Sequence, residues 1–120
     1  MTKQMRILAV DDDPVYLMLL KHVLGAIGYD RLLCISKPHE ALDLLRDPRQ
    51  YFDCLLLDVE MPGMNGIELC RRVRMLPAYR ETPILMITAM KTIQHVQSAF
   101  LAGANDYVHK PINEIGRAHV

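Results

Sequence analysis

Two stretches of this chain are apolar without interruption: Leu55-Leu56-Leu57 and Ile84-Leu85-Met86-Ile87. A strand with one wet face alternates between polar and apolar residues, whereas a strand covered on both faces reads as a continuous run. Five short segments read as strands: Arg6–Val10, Leu32–Ser36, Cys54–Asp58, Ile84–Thr88 and Asp106–Lys110. Segments of helical period lie between them. Val15–Ile27 carries Leu17, Leu20, Val23, Leu24 and Ile27 at helical spacing, with Gly28 as a stop. Pro38–Arg46 sets Ala41, Leu42 and Leu45 on one side and ends at Asp47-Pro48. Gly66–Met75 opens after Asn65, a good cap, and closes before Leu76-Pro77. Thr92–Ala102 places Ile93, Val96, Phe100 and Leu101 on one face and ends at Gly103.

Strands alternating with helices in this way call for right-handed crossovers and a parallel sheet covered on both faces. The expected fold is a doubly wound five-stranded α/β domain of flavodoxin-like type, with strand order 2-1-3-4-5. At 120 residues the chain holds one domain with a single real core. Its 14 basic and 14 acidic side chains cancel, so no long-range field draws it to nucleic acid or to an anionic membrane. No apolar run approaches the roughly 20 residues that span a bilayer, and the N-terminus has no signal-peptide pattern. Cys34, Cys54 and Cys70 lie in apolar segments without CxxC spacing, which fits free thiols in a reducing cytoplasm better than a disulfide or a metal site.

In this fold, ligands collect at the carboxyl ends of the first and third strands, where the winding reverses. There the first candidate strand ends in Asp11-Asp12-Asp13 and the third in Asp58. Neighbouring strands lie roughly 4.8 Å apart, so these acids converge. Asp13 precedes Pro14, a helix-start signal, and is read as a cap. Asp11, Asp12 and Asp58 repel one another unless a cation neutralises them, and oxygen-only ligands at a partly hydrated site suit Mg²⁺. Held at a strand end beside a cation, Asp58 is a candidate nucleophile toward a phosphoryl group. Thr88 and Lys110, at the ends of the fourth and fifth strands, are placed to bind phosphoryl oxygens. Taken singly, a strand-end threonine and a solvated lysine are commonplace; the constellation carries the reading.

The stretches ILAVDDDP, LLLDVEMPGMNGIEL, PILMITA and GANDYVHKP, each at its place in the alternation, resemble the receiver domains of two-component response regulators. The resemblance implies that Asp58 is the phosphoacceptor for a sensor histidine kinase or a phosphotransfer protein. It implies a metal site of Asp12, Asp58 and the Glu60 backbone carbonyl, with Asp11 acting through water and Mn²⁺ able to replace Mg²⁺. Thr88 and Lys110 would contact the phosphoryl group. Thr88 and Tyr107 would form a switch in which the ring turns inward as the threonine moves. The family usually has a cis peptide before the proline matching Pro111, and Glu60 and Met90 match positions that tune acyl-phosphate lifetime. A homodimer through the face of the fourth helix and fifth strand is a further expectation, as is a cytoplasmic location.

One departure is expected at the end of the chain. Family members close with a full helix, whereas only INEIGRAHV follows Pro111, interrupted by Gly116. Residues 1–114 are therefore read as the receiver domain and residues 115–120 as a non-native tail replacing the rest of a truncated last helix. The rival reading is a Mg²⁺-dependent phosphohydrolase with an aspartyl nucleophile, which Asp58-Val59-Glu60 faintly echoes; a third is a pseudo-receiver that never gains phosphate. The main expectation is a switch that catalyses only its own phosphorylation and dephosphorylation.

Overall fold

The computed structural model describes residues 4–89 and 92–110. Five strands alternate with four α-helices: β1 (Ile7–Val10), α1 (Pro14–Ala26), β2 (Leu32–Ile35), α2 (Pro38–Arg46), β3 (Cys54–Asp58), α3 (Gly66–Arg74), β4 (Ile84–Thr88), α4 (Ile93–Leu101) and β5 (Asp106–His109). The sheet runs β2-β1-β3-β4-β5 and every pairing is parallel, as the alternation predicts. Met90, Pro111 with the peptide bond before it, and the expected tail lie outside the described residues.

The continuous apolar runs have the expected cause. Leu8, Val10, Leu55, Leu57, Ile84 and Met86 point into a core shared with α2 and α3. Their neighbours Ile7, Ala9, Leu56 and Ile87 point the other way, into a second core with Tyr16 and Leu17 of α1. Alternate side chains of each strand thus serve different layers.

Helix ends follow the glycines. After α1, Gly28 adopts φ 102°; its N–H bonds to Gly25 O at 3.1 Å, and the N–H of Tyr29 reaches back to Leu24 O at 2.8 Å. Gly103 repeats this after α4 with φ 112°. Its N–H bonds to Phe100 O and that of Ala104 to Ala99 O, each at 3.0 Å. Both are left-handed glycine caps that satisfy carbonyls which the helix itself leaves unpaired.

Two helices sit differently from their apolar spacing. In α1, Val23 and Ile27 face outward, as do Val15 and Met18, both 72% exposed; Tyr16 and Leu17 turn inward instead. This helix is apolar all round, so periodicity cannot choose its buried stripe. In α4 the inward residue is Ala99, while Ile93 and Leu101 are exposed and Phe100 is partly so. Small side chains let α4 approach α3 closely, and Cys70 Sγ lies 3.6 Å from Ala102 O. A 3₁₀ turn at Pro77–Tyr79 is also unforeseen. It buries Tyr79, which stacks on Tyr51 at 5.2 Å and accepts the Phe52 N–H at 3.2 Å. Arg74 ties this region together, donating to the carbonyls of Gly103, Tyr79 and Thr82 and to Asn105 Oδ1.

The start of α3 presses against the end of β3. Asn65 caps the helix by accepting from the Glu68 N–H, and the Gly66 N–H bonds to Val59 O at 3.0 Å. A Cβ on Gly66 would stand 2.0 Å from the Asp58 carbonyl oxygen, closer than any atom can come. Gly66→Ala must therefore push α3 away from Asp58 itself. The expected loss is about 1–3 kcal/mol of stability in urea unfolding, with the Asp58 carboxylate displaced.

Candidate functional site

The β1–β3 register pairs Val10 with Leu57, so Asp11 and Asp58 are the next residues on adjacent strands. Both carboxylates are buried, at 2% and 4% exposure. Asp11 is fixed from two sides: its N–H bonds to Ile35 O at 3.1 Å, and its Oδ1 accepts the Asp13 N–H at 2.9 Å. Asp12 follows, exposed. One oxygen from each of Asp11, Asp12 and Asp58 can be chosen so that all three lie within 4.8 Å of one another. Asp13 takes the capping role, accepting the Val15 N–H at 3.0 Å.

Lys110 enters this cluster from the far edge of the sheet. Its N–H bonds to Thr88 O at 2.7 Å, extending the β5 pairing, and its Nζ stands 2.7 Å from Asp11 Oδ2 and 3.6 Å from Asp58 Oδ1. Thr88, fully buried, ends β4 between the lysine strand and the acids. Tyr107 is half-buried on β5 against the α2–α3 core and hydrogen-bonds Thr88. The ring is thus already engaged with the threonine in this structure. Glu60 is exposed; its N–H donates to the Asp58 carboxylate.

One neighbour of the site escaped the sequence reading. Tyr16, in the first turn of α1, places its ring face under the Lys110 ammonium, 4.5 Å from Nζ to the ring centroid. Its position three residues after the cap, facing back over the turn, was the available signal.

The electrostatics follow from the geometry. Burial and then the charge of Asp11 push the Asp58 carboxyl up to about 7; Lys110 and the Glu60 N–H oppose this, and Asp12 adds to it. For Lys110, burial pulls the ammonium's pKa down. The hydrogen bond to Asp11 and the charges of Asp58 and Asp11 outweigh it, for a net rise. Three carboxylates facing one ammonium leave two negative charges uncompensated when all are ionised. An all-oxygen donor set, two parts buried and one open to water, fits a hard divalent cation of the Mg²⁺ type.

A doubly wound sheet with converging acids and a lysine at its switch point defines a small α/β domain built to bind a cation beside a phosphoryl-type oxygen site. The sequence profile of the response regulator receiver domain matches residues 7–116. The chain is 42% identical over 110 residues to the DNA-binding response regulator MtrA of Mycolicibacterium smegmatis, covering 92% of this chain and 46% of that protein. It is 36% identical over 110 residues to the signal transduction histidine-protein kinase BarA of Shigella flexneri, covering 92% of this chain and 12% of the kinase. Among solved structures, it superposes at a TM-score of 0.80, with 27% identity, on the receiver domain of the sensor histidine kinase PA1611 from Pseudomonas aeruginosa. That match covers 98% of this chain and 93% of the other, and that receiver holds a magnesium ion coordinated in its active-site cleft. The chain belongs to the response regulator receiver domain family, whose members are signalling modules, and the phosphohydrolase reading is not favoured. It spans under half of MtrA and about an eighth of BarA.

The raised Asp58 carboxyl has a consequence for stability. The folded chain holds this proton to about pH 7, whereas an unfolded aspartate releases it near pH 4. Between those values the folded state binds more protons, so the metal-free protein loses stability as pH rises through this window, by an amount on the order of a few kcal/mol. Asp58→Asn removes the penalty. In chelator, thermal unfolding should show the variant more stable than wild type at pH 8, with the gap closing as pH falls to about 4.

Proposed function

We propose that Asp58 is the phosphoacceptor of this domain. The observation that supports this most directly is a buried carboxylate at a strand end, flanked by two further acids and by the Lys110 ammonium. In the proposed step, an Asp58 carboxylate oxygen attacks the phosphorus of a partner's phosphohistidine. A P–O bond forms and the N–P bond breaks. The imidazole nitrogen keeps the electron pair and picks up a proton. Asp58 must be ionised to attack, so whatever neutralises Asp11 and Asp12 also frees the nucleophile. Lys110 balances charge on the transferred oxygens, and Thr88 donates a hydrogen bond to them.

Asp11, Asp12, Asp58 and the Glu60 carbonyl would hold Mg²⁺, or Mn²⁺ in its place. When bound, the ion supplies positive charge opposite the phosphoryl oxygens and offsets repulsion among the carboxylates. The domain thus carries out its own phosphorylation and slow dephosphorylation with no external substrate to turn over. Tyr107 and Thr88 report the event to the face of α4 and β5, through which two copies of the domain associate. The donor is a sensor histidine kinase or a phosphotransfer protein. The resemblance to BarA and MtrA supports this donor. With its basic and acidic side chains balanced, the domain itself is proposed to act in the cytoplasm without touching nucleic acid or membrane.

Incubation with acetyl phosphate and Mg²⁺, followed by intact mass, tests the assignment. Wild type is expected to gain one phosphate that mild base removes, and Asp58→Asn to gain none. Labelling that persists in Asp58→Asn would move the acceptor elsewhere. No labelling of wild type, with no binding of beryllofluoride, would leave a pseudo-receiver.

A further inference from the structure

An ammonium among carboxylates is held by charge that chemistry at those carboxylates must change. Asp11 takes one of the three Lys110 donors at 2.7 Å, and Asp58 lies at 3.6 Å. On its remaining side is the Tyr16 ring, 4.5 Å from Nζ to the centroid. Tyr16 is only 9% exposed and sits in the second core with Leu17, Ala9 and Ile87, so the ring is backed by the sheet. The Lys110 side chain is itself only 15% exposed. A desolvated cation over an aromatic face is attracted by the ring quadrupole, and this attraction uses no lone pair and no titrating group.

We infer that Tyr16 is a positioning residue for Lys110, its ring face holding the ammonium at the mouth of the Asp11–Asp58 pair. The inference rests on the phosphoacceptor reading of Asp58. The carboxylates hold the lysine only while their oxygens are charged and unengaged. A cation that engages Asp11 and Asp58 draws their charge away from the lysine before transfer, and on transfer the Asp58 carboxylate charge gives way to that of the phosphoryl oxygens. The ring keeps its attraction through both changes. Lys110 therefore stays where the transferred oxygens arrive, without the entropy of being ordered again. Burial, followed by the charges of Asp11 and Asp58, raises the Tyr16 hydroxyl's pKa despite Lys110, so the ring stays a neutral phenol. The plainer account makes Tyr16 a core aromatic whose shape alone matters. The two accounts separate on the ring's electrons.

The experiment compares wild type with Tyr16→Phe, Tyr16→Leu and 3,4,5-trifluorophenylalanine installed at position 16, which keeps the ring's shape while depleting its face of negative potential. In the metal-free protein, ring-current shifts of the Lys110 ε-methylene protons are read by NMR. Beryllofluoride affinity is then measured with Mg²⁺, and thermal unfolding monitors folding. Wild type and Tyr16→Phe are expected to show the upfield shift and to bind beryllofluoride within about twofold of each other. The trifluorinated ring and Tyr16→Leu are expected to bind it roughly fivefold or more weakly. Should the leucine variant fail to fold, the fluorinated ring decides the matter alone. Absence of the shift in wild type would overturn the inference, as would equal affinity for the fluorinated and plain rings. Wild type that binds no beryllofluoride would sink the phosphoacceptor reading instead, while the shift still reports whether the ring holds the ammonium.

Discussion

Two buried carboxylates on neighbouring strand ends repel one another, and the structure works around that repulsion. Pairing of β1 with β3 in their observed register leaves Asp11 and Asp58 side by side; a slip of one residue would turn one of them to the other face of the sheet. The pairing is secured far from the acids, by the two cores that grip alternate residues of each strand. The apolar layers thus hold in place a charge arrangement that would not assemble by itself. Lys110 offsets part of the cost. It comes from β5, two strand spacings from β3 or roughly 10 Å, a span suited to a long side chain. Thr88 ends the strand between, and its small side chain leaves the lysine a path.

The same arrangement holds the site in place while leaving its charge unbalanced. Burial, and then the charge of Asp11, outweigh Lys110, so Asp58 holds its proton to about neutral pH when nothing else is bound. A carboxyl poised there is sensitive to any added positive charge, since a modest change in local potential converts acid into carboxylate. A more complete set of ion pairs would have favoured the folded state and weakened the response to a cation. On the phosphoacceptor reading, stability is given up at the place where function needs an unsatisfied charge.

The sheet was legible in the sequence almost to the residue, because strands packed on both faces leave continuous apolar runs and the helices between them stop at glycines (α1, α4) or ahead of prolines (α2, α3). Gly28 and Gly103 occupy the left-handed positions that their place in the chain suggests. The acid cluster was legible because polar residues ending apolar strands need a reason to be there. Less could be read where many residues would serve equally. Helix α1 is apolar around its circumference, so Val23 and Ile27 looked like core residues and are not. Helix α4 packs through Ala99, too small to announce itself, while its larger Ile93 and Leu101 face out. The stacked Tyr51–Tyr79 pair and the four acceptors of Arg74 join segments distant in sequence, and no local pattern encodes such meetings. Tyr16 belongs to the same class: its meaning depends on a lysine nearly a hundred residues away.

On the phosphoacceptor reading, the route from Asp58 to the surface is a matter of hydrogen-bond donors. Thr88 has one hydroxyl proton. It shares a hydrogen bond with Tyr107, which lowers the phenol's pKa against the larger rise due to burial and to Glu60. On the phosphoacceptor reading, the phosphoryl group at Asp58 needs the same proton. Where Thr88 is the donor to Tyr107 it cannot donate fully to both, and on that reading a bond gained at the site is a bond lost by Tyr107. The tyrosine lies half-buried on β5, between the core and solvent, and can trade the lost contact for water at small cost. The α4 residues Phe100 and Leu101 are exposed apolar surface. On the phosphoacceptor reading, a change of partner at one buried hydroxyl is then enough to alter the edge of an apolar face.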